Sequence, residues 1–308
     1  MYFPAAGIEV NPLVPPLVAL VISFVTSMGG VSGAFLLLPF QMSVLGYVNP
    51  SVSSTNQLYN IVAIPSGVWR FVREGRMVWP LTWVVVLGTL PGVLIGAVVR
   101  VTWLPDPGSF KAFAAFVLLY VGGRMAWDLW KRKAPAKPAP TAQDPKAKAD
   151  CQGPKGAGLV HVTAFTLSRL AYEFQGESYC VKTTGIFGLS FLVGIVGGIY
   201  GIGGGAIIAP FFVAFYGLPV HTVAGAALMG TFVTSVAGVA FYQAIAPFYP
   251  NLSVAPDYTL GVLFGLGGMC GMYLGARCQK HVPAKLIKGM LAVLIVLLAL
   301  RYLKEALF

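Results

Sequence analysis

"GGIYGIGGGAIIAPFF", Gly197–Phe212, decides how the rest of the chain is read. Six of its first nine residues are glycine, and both flanks are apolar. In a water-soluble protein it would suggest a phosphate-gripping turn, but no alternating strand–helix pattern surrounds it. The apolar run that encloses it, about residues 186–217, is far too long for a buried strand. As one helix, a run of roughly thirty-three residues would measure about 50 Å, against a bilayer core of about 30 Å. Broken at the glycines, it becomes two arms of about sixteen residues each. Irregular backbone at membrane depth is tolerated only where protein or a water-filled cavity surrounds it. The glycines are therefore a break, and the break lines something.

Composition supplies the setting. The 308 residues are 57% hydrophobic and only 10% charged, with a mean hydropathy of +0.77, whereas a soluble chain carries about a quarter charged residues. Apolar runs long enough to span a bilayer recur at about 52–69, 79–99, 110–130, 222–245, 257–277 and 284–303, and a second long run covers about 13–46. The chain reads as an all-α polytopic membrane protein in a lipid bilayer. Its net charge of +11 lies in short loops and one linker rather than on a folded face, which argues against nucleic acid. The four cysteines (Cys151, Cys180, Cys270, Cys278) show no metal-ligand spacing. All ten Asp and Glu fall in loops, the linker or span ends, so no mid-span carboxylate offers a cation site or proton relay. His161, His221 and His281 lie in or beside loops. No nucleophile–base pair or metal cluster suggests an enzyme, and no cofactor is implied.

The chain is written twice. "GGVSGAFLLLPFQMSVLG" (Gly29–Gly46) aligns with "YGIGGGAIIAPFFVAFYG" (Tyr200–Gly217) at one constant offset. Gly30 meets Gly201, Gly33 meets Gly204, Pro39 meets Pro210 and Gly46 meets Gly217; Gly67 and Gly238 continue the register. Gly88, Gly92 and Gly96 recur at every fourth position, as do Gly267, Gly271 and Gly275. Such spacing reads as close helix packing through small residues. The organisation is an N-terminal transmembrane repeat (1–131), a linker (132–182) and a C-terminal transmembrane repeat (183–308). The linker opens with a Lys/Ala/Pro-rich stretch that cannot build a core. It continues into alternating sequence on either side of Gln175–Gly176–Glu177, the pattern of a small cytoplasmic β-hairpin.

Lys and Arg mark cytoplasmic loops. "RFVREGRM", the linker and "RCQKHVPAKLIK" are inside by that rule; "YPNLSVAPDY" and the N-terminus, without Lys or Arg, are outside. Run 186–217 then begins and ends inside, and run 13–46 begins and ends outside. Each half is a glycine-broken re-entrant or double-crossing element plus three ordinary spans, which makes the two repeats inverted in topology. Arg301 and Lys304, close to a C-terminus placed outside, run against the rule.

Inverted repeats with broken helices meeting near the midplane are a secondary-transporter architecture. A helix that restarts after a break aims N–H groups and a positive dipole end at it, a site for an anion. Candidate substrate contacts are Gly201, Gly203, Gly204 and Gly205 in the second half and Gly30, Ser32 and Gly33 in the first. Asn56 and Asn60 stand one turn apart with Gln57 beside them, and Thr231, Thr234 and Ser235 share an arc. These uncharged donors suit an oxyanion; they equally suit hydrogen bonds between helices. A cation or metal transporter, or a membrane scaffold presenting the hairpin to a partner, are the competing readings.

The paired "GIGGGAIIAPFF" and "GGVSGAFLLLPF" resemble the sulfite exporter TauE/SafE family across nearly the whole chain, the linker excepted. The second copy fits the family's GxGGGxxxxP pattern at Gly201–Pro210, whereas in the first Ser32 and Ala34 stand where Gly203 and Gly205 stand. The resemblance implies a secondary transporter, usually an exporter, of sulfite, sulfoacetate or other organosulfonates by alternating access. It implies a multi-pass location in a bacterial cytoplasmic (inner) membrane and is compatible with a homo-oligomer.

Overall fold

The computed structural model describes residues 1–28, 31–131, 160–174, 177–205 and 207–278, and beyond these 282, 289, 293, 295–297, 299–302 and 304. The Lys/Ala/Pro-rich linker and Gly30 lie outside the described residues. After a two-strand hairpin, β1 (Tyr2–Phe3) and β2 (Ile8–Glu9), come helices α1 (Val14–Met28), α2 (Ala34–Ser43), α3 (Ser51–Arg73), α4 (Trp79–Thr102) and α5 (Pro107–Lys131). Strands β3 (His161–Phe165), β4 (Arg169–Phe174) and β5 (Glu177–Lys182) form an antiparallel sheet in that order. Helices α6 (Thr183–Tyr200), α7 (Ile208–Tyr216), α8 (Val220–Ile245) and α9 (Tyr258–Cys278) follow, and residues 295–297 and 299–302 are again helical. The order of long arm, break, short arm and long helices thus occurs twice.

Helices α4, α6, α8 and α9 are long and apolar enough to cross a bilayer. Their outward faces carry Leu87 and Ile95 on α4, Leu192 on α6 and Leu266 on α9, all exposed as only lipid would favour. Trp69, Trp79 and Trp103 stand exposed close to helix ends, where interfacial aromatics belong. Helix α3 is 23 residues long and holds the run expected at about 52–69, though it is more polar than the other spans. Its Ser51, Ser53, Ser54, Thr55, Asn56, Gln57 and Asn60 are all buried within the protein, so α3 is a central helix whose polar face looks inward.

The breaks do not divide their runs equally. The arms are 15 and 10 residues in the first half and 18 and 9 in the second, not two arms near sixteen. At 1.5 Å per residue the short arms are only about 15 Å long. Each break therefore sits toward the far end of its element. Gly201 is in the left-handed region (φ 77°) and ends α6, its N–H bonded to Gly197 and Gly198 carbonyls; Gly203 is left-handed too (φ 76°). Both conformations favour glycine.

Two reciprocal seams hold the halves together: α4 packs against α6, and α1 against α9. A Cβ added at Gly88, Gly92 or Gly96 would strike the carbonyl of Phe187, Phe191 or Ile195 respectively. One added at Gly267, Gly271 or Gly275 would strike the carbonyl of Pro16, Leu20 or Phe24. The α6 contacts stand 171 residues beyond the α1 contacts (187 − 16, 191 − 20, 195 − 24). Each half's first helix thus lies on the other half's glycine stripe through backbone contact that tolerates no side chain.

The expected hairpin is two strands of a three-stranded sheet. Strand β4 is central, with Leu170, Tyr172 and Phe174 buried. The Val160 N–H donates to the Gly75 carbonyl between α3 and α4 (3.4 Å), and the Tyr172 and Thr222 hydroxyls are 2.9 Å apart. The sheet therefore touches both halves. Burial pushes the Tyr172 phenol above its ordinary value, and the Thr222 hydroxyl opposes the shift.

Candidate functional site

The fold brings the two breaks face to face across α3. Asn56 Nδ2 donates to the Ala34 carbonyl of the first break (3.0 Å) and to the Gly201 carbonyl of the second (3.2 Å). One turn on, Asn60 Nδ2 donates to the Ile202 carbonyl (2.9 Å) and lies 3.3 Å from Ser235 Oγ, while its Oδ1 accepts from Ser32 Oγ (2.6 Å). Ser32, Asn60 and Ser235 thus form one polar line from the first half to the second. Gln41 Nε2 donates to Asn56 Oδ1 (3.3 Å), which fixes the amide. All of these side chains are buried, and none is charged.

Four positions are glycine because the surroundings leave no room. A Cβ at Gly33 would overlap the Tyr59 hydroxyl, itself 2.6 Å from Ser23 Oγ. One at Gly204 would overlap Thr89, and one at Gly205 the Ala227 carbonyl. One at Gly203 would come within 2.8 Å of Ser235 Oγ.

Not every expected donor is on offer. The Ala34 N–H points at Ser32 Oγ (3.3 Å) and the Gly204 N–H donates to Thr234 Oγ1 (3.2 Å). Thr231 Oγ1 donates to the Ala227 carbonyl of its own helix (2.8 Å), and Thr234 Oγ1 to that of Gly230 (2.7 Å). Gln57 turns away from the breaks toward α8, where its amide lies against Gly238. Although fully buried, its Oε1 and Nε2 have no hydrogen-bond partner among the described residues, and neither has Gln41 Oε1. An unpaired buried polar atom costs roughly 1–3 kcal/mol, a cost these two amides carry. Among the described residues no three His, Cys, Asp or Glu come together; the breaks are lined by neutral amide, hydroxyl and backbone groups.

One charged residue escaped the sequence reading. Arg100, two residues before the end of α4, is 0% exposed. Its Nε donates to Ser53 Oγ (3.3 Å) and its Nη1 to the Leu104 carbonyl, and the guanidinium lies 3.8 Å over the Phe110 ring. Nη2 has no partner, and no carboxylate pairs with Arg100 among the described residues. Burying a charge costs several kcal/mol. A desolvated cation–π contact returns about 2 kcal/mol, and a helix C-terminus up to about 2. The balance is left with an open donor. Arg100 is a lone charge directly after the apolar run 79–99, where it is indistinguishable from a residue of the following loop.

Broken helices paired across a lipid-facing helical bundle define a multi-pass membrane protein of the transporter class. The chain matches the sulfite exporter TauE/SafE family over residues 16–302, and it belongs to that family. It is 22% identical over 299 residues to "Probable membrane transporter protein YunE" of Bacillus subtilis (strain 168), an alignment covering 94% of this chain and 96% of that one. It is 28% identical over 121 residues to "Probable membrane transporter protein YdhB" of the same organism, covering 37% of this chain and 46% of that one. No solved structure matches it. The protein is a membrane transporter.

Proposed function

We propose that this transporter is a secondary exporter of small sulfur-containing anions, sulfite, sulfoacetate or another organosulfonate, in a bacterial inner membrane. The observation that carries the reading is Asn56, whose one amide bridges Ala34 of the first break and Gly201 of the second. Beside it, Gln57 holds a buried amide with no partner. The anion displaces the break carbonyls from Asn56 and Asn60, whose amides then donate to it. Helix starts at α2 and α7 favour negative charge at the same place. With the two repeats inverted in the membrane, exchanging the partners of Asn56 and Asn60 is the local event that lets one half tilt against the other.

The test is flux of sulfite and of sulfoacetate into proteoliposomes, with Asn56→Ala and Asn60→Ala beside the unmutated protein. The expected result is anion flux that falls about tenfold or more in both variants, since each loses about one charge-assisted hydrogen bond. Flux unaffected by both changes in folded protein would move the site away from the breaks.

A further inference from the structure

We propose that Arg100 forms a second anion station, one that takes the transported oxyanion next to the α6 break. The inference rests on the reading of the chain as an anion transporter and adds to it the charge that the neutral breaks lack. Arg100 is fully buried, is held by Ser53 and the Leu104 carbonyl, and keeps Nη2 without a partner. Ser53 is in turn the residue against which Gly201 rests: a Cβ there would overlap the Ser53 backbone and side chain. On the other side Tyr242, also buried, donates to the Gly198 carbonyl in the last turn of α6 (3.4 Å). A guanidinium is therefore one side chain away from Gly201, whose carbonyl is one of those held by Asn56.

The chemistry points to an oxyanion. The open Nη2 carries two hydrogens in the plane of the guanidinium, a geometry that suits oxygens of sulfite or a sulfonate. Phe110 covers one face of the guanidinium, so an incoming group approaches at its edge. Ser53, Arg100 and Tyr242 lie close to the start of α3 and the ends of α4 and α8. By the charge of the loops these ends face away from the cytoplasm, and Arg100 is the station nearer the outer surface. An anion leaving Asn56 passes to a full positive charge before release.

The test uses the full-length protein in detergent, titrated calorimetrically with sulfite, unmutated and as Arg100→Gln and Arg100→Lys, with melting temperatures measured alongside. The expected result is affinity weakened about tenfold or more in Arg100→Gln, with Arg100→Lys between the two, at the cost of one charged hydrogen-bonding partner. Unchanged sulfite affinity in Arg100→Gln, even with a lowered melting temperature, would make Arg100 a clamp on Leu104 and sink the proposal while leaving the transporter reading standing. Absence of sulfite binding to the unmutated protein would instead bring down the sulfur-anion reading of the transporter. Should Arg100→Gln fail to fold, crystals of unmutated protein soaked in selenite decide the matter by anomalous scattering. Selenium within hydrogen-bonding reach of Nη2 supports the station; none there overturns it.

Discussion

The two breaks occupy equivalent places in the repeat and are finished in opposite ways. The first is closed by its own side chain, with Ser32 Oγ beside the Ala34 N–H. The second has glycine at both corresponding positions, Gly203 and Gly205, and its carbonyls are served from the other half by Asn56 and Asn60. The central helices differ accordingly. Where α3 carries Asn56 and Asn60, α8 carries Ala227 and Thr231 at the same offset, and Thr231 Oγ1 donates to its own helix, at the Ala227 carbonyl. Two breaks stand at one offset, and the carbonyls of the second are the ones served from the other half.

Gly205→Ala should break that arrangement most severely. Its Cβ would overlap the Ala227 carbonyl, and overpacking of rigid backbone costs about 3 kcal/mol. Little folded protein is expected by size-exclusion chromatography. Ala34→Gly, at the equivalent position, should lose under about 1 kcal/mol and elute as the parent does. Gly203→Ala should come next, at about 2 kcal/mol, because a left-handed residue acquires a Cβ pressed on Ser235; a clear drop in melting temperature checks it. Asn60→Ala strips partners from Ser32 and Ile202 and should cost about 1–2 kcal/mol, near the upper end for hydrogen bonds between membrane helices. Thr231→Ala should cost about 0.5 kcal/mol or less; equal losses in the two variants would erase the proposed asymmetry. Smallest of all, Gly188→Ala on α6, where an added Cβ meets nothing within 4 Å, should leave stability unchanged or raise it by about 1 kcal/mol.

Much of this was legible in the sequence because it rests on residue type alone. Apolar runs announce membrane helices, and glycine clusters that interrupt them announce breaks. Fourth-residue glycines on α4 and α9 announce seams, though which helix fills each seam depends on tertiary arrangement. The pairing of α1 with α9, rather than with its own α4, left no trace in the periodicity. The polarity of α3 singled out Asn56, Gln57 and Asn60, but spacing on one arc could not separate Gln57, which faces Gly238, from the two residues that reach the breaks. Arg100 was hidden by its position at the end of an apolar run; only burial without a carboxylate distinguishes it from a loop residue. The third strand, β3, was missed because all of it is exposed, so burial imposes no pattern on its sequence.

The α1–α9 seam also sets a timetable. Gly267 rests on Pro16, a separation of 251 residues (267 − 16). At about 5–20 residues per second, the ribosome needs on the order of ten to fifty seconds to make the partner that α1 requires. Throughout that interval the backbone face of α1 at Pro16, Leu20 and Phe24 lacks its glycine partner. The α4–α6 seam closes far earlier in synthesis. Helix α1 is thus seated late, and a nascent chain stalled before α9 leaves that face uncovered.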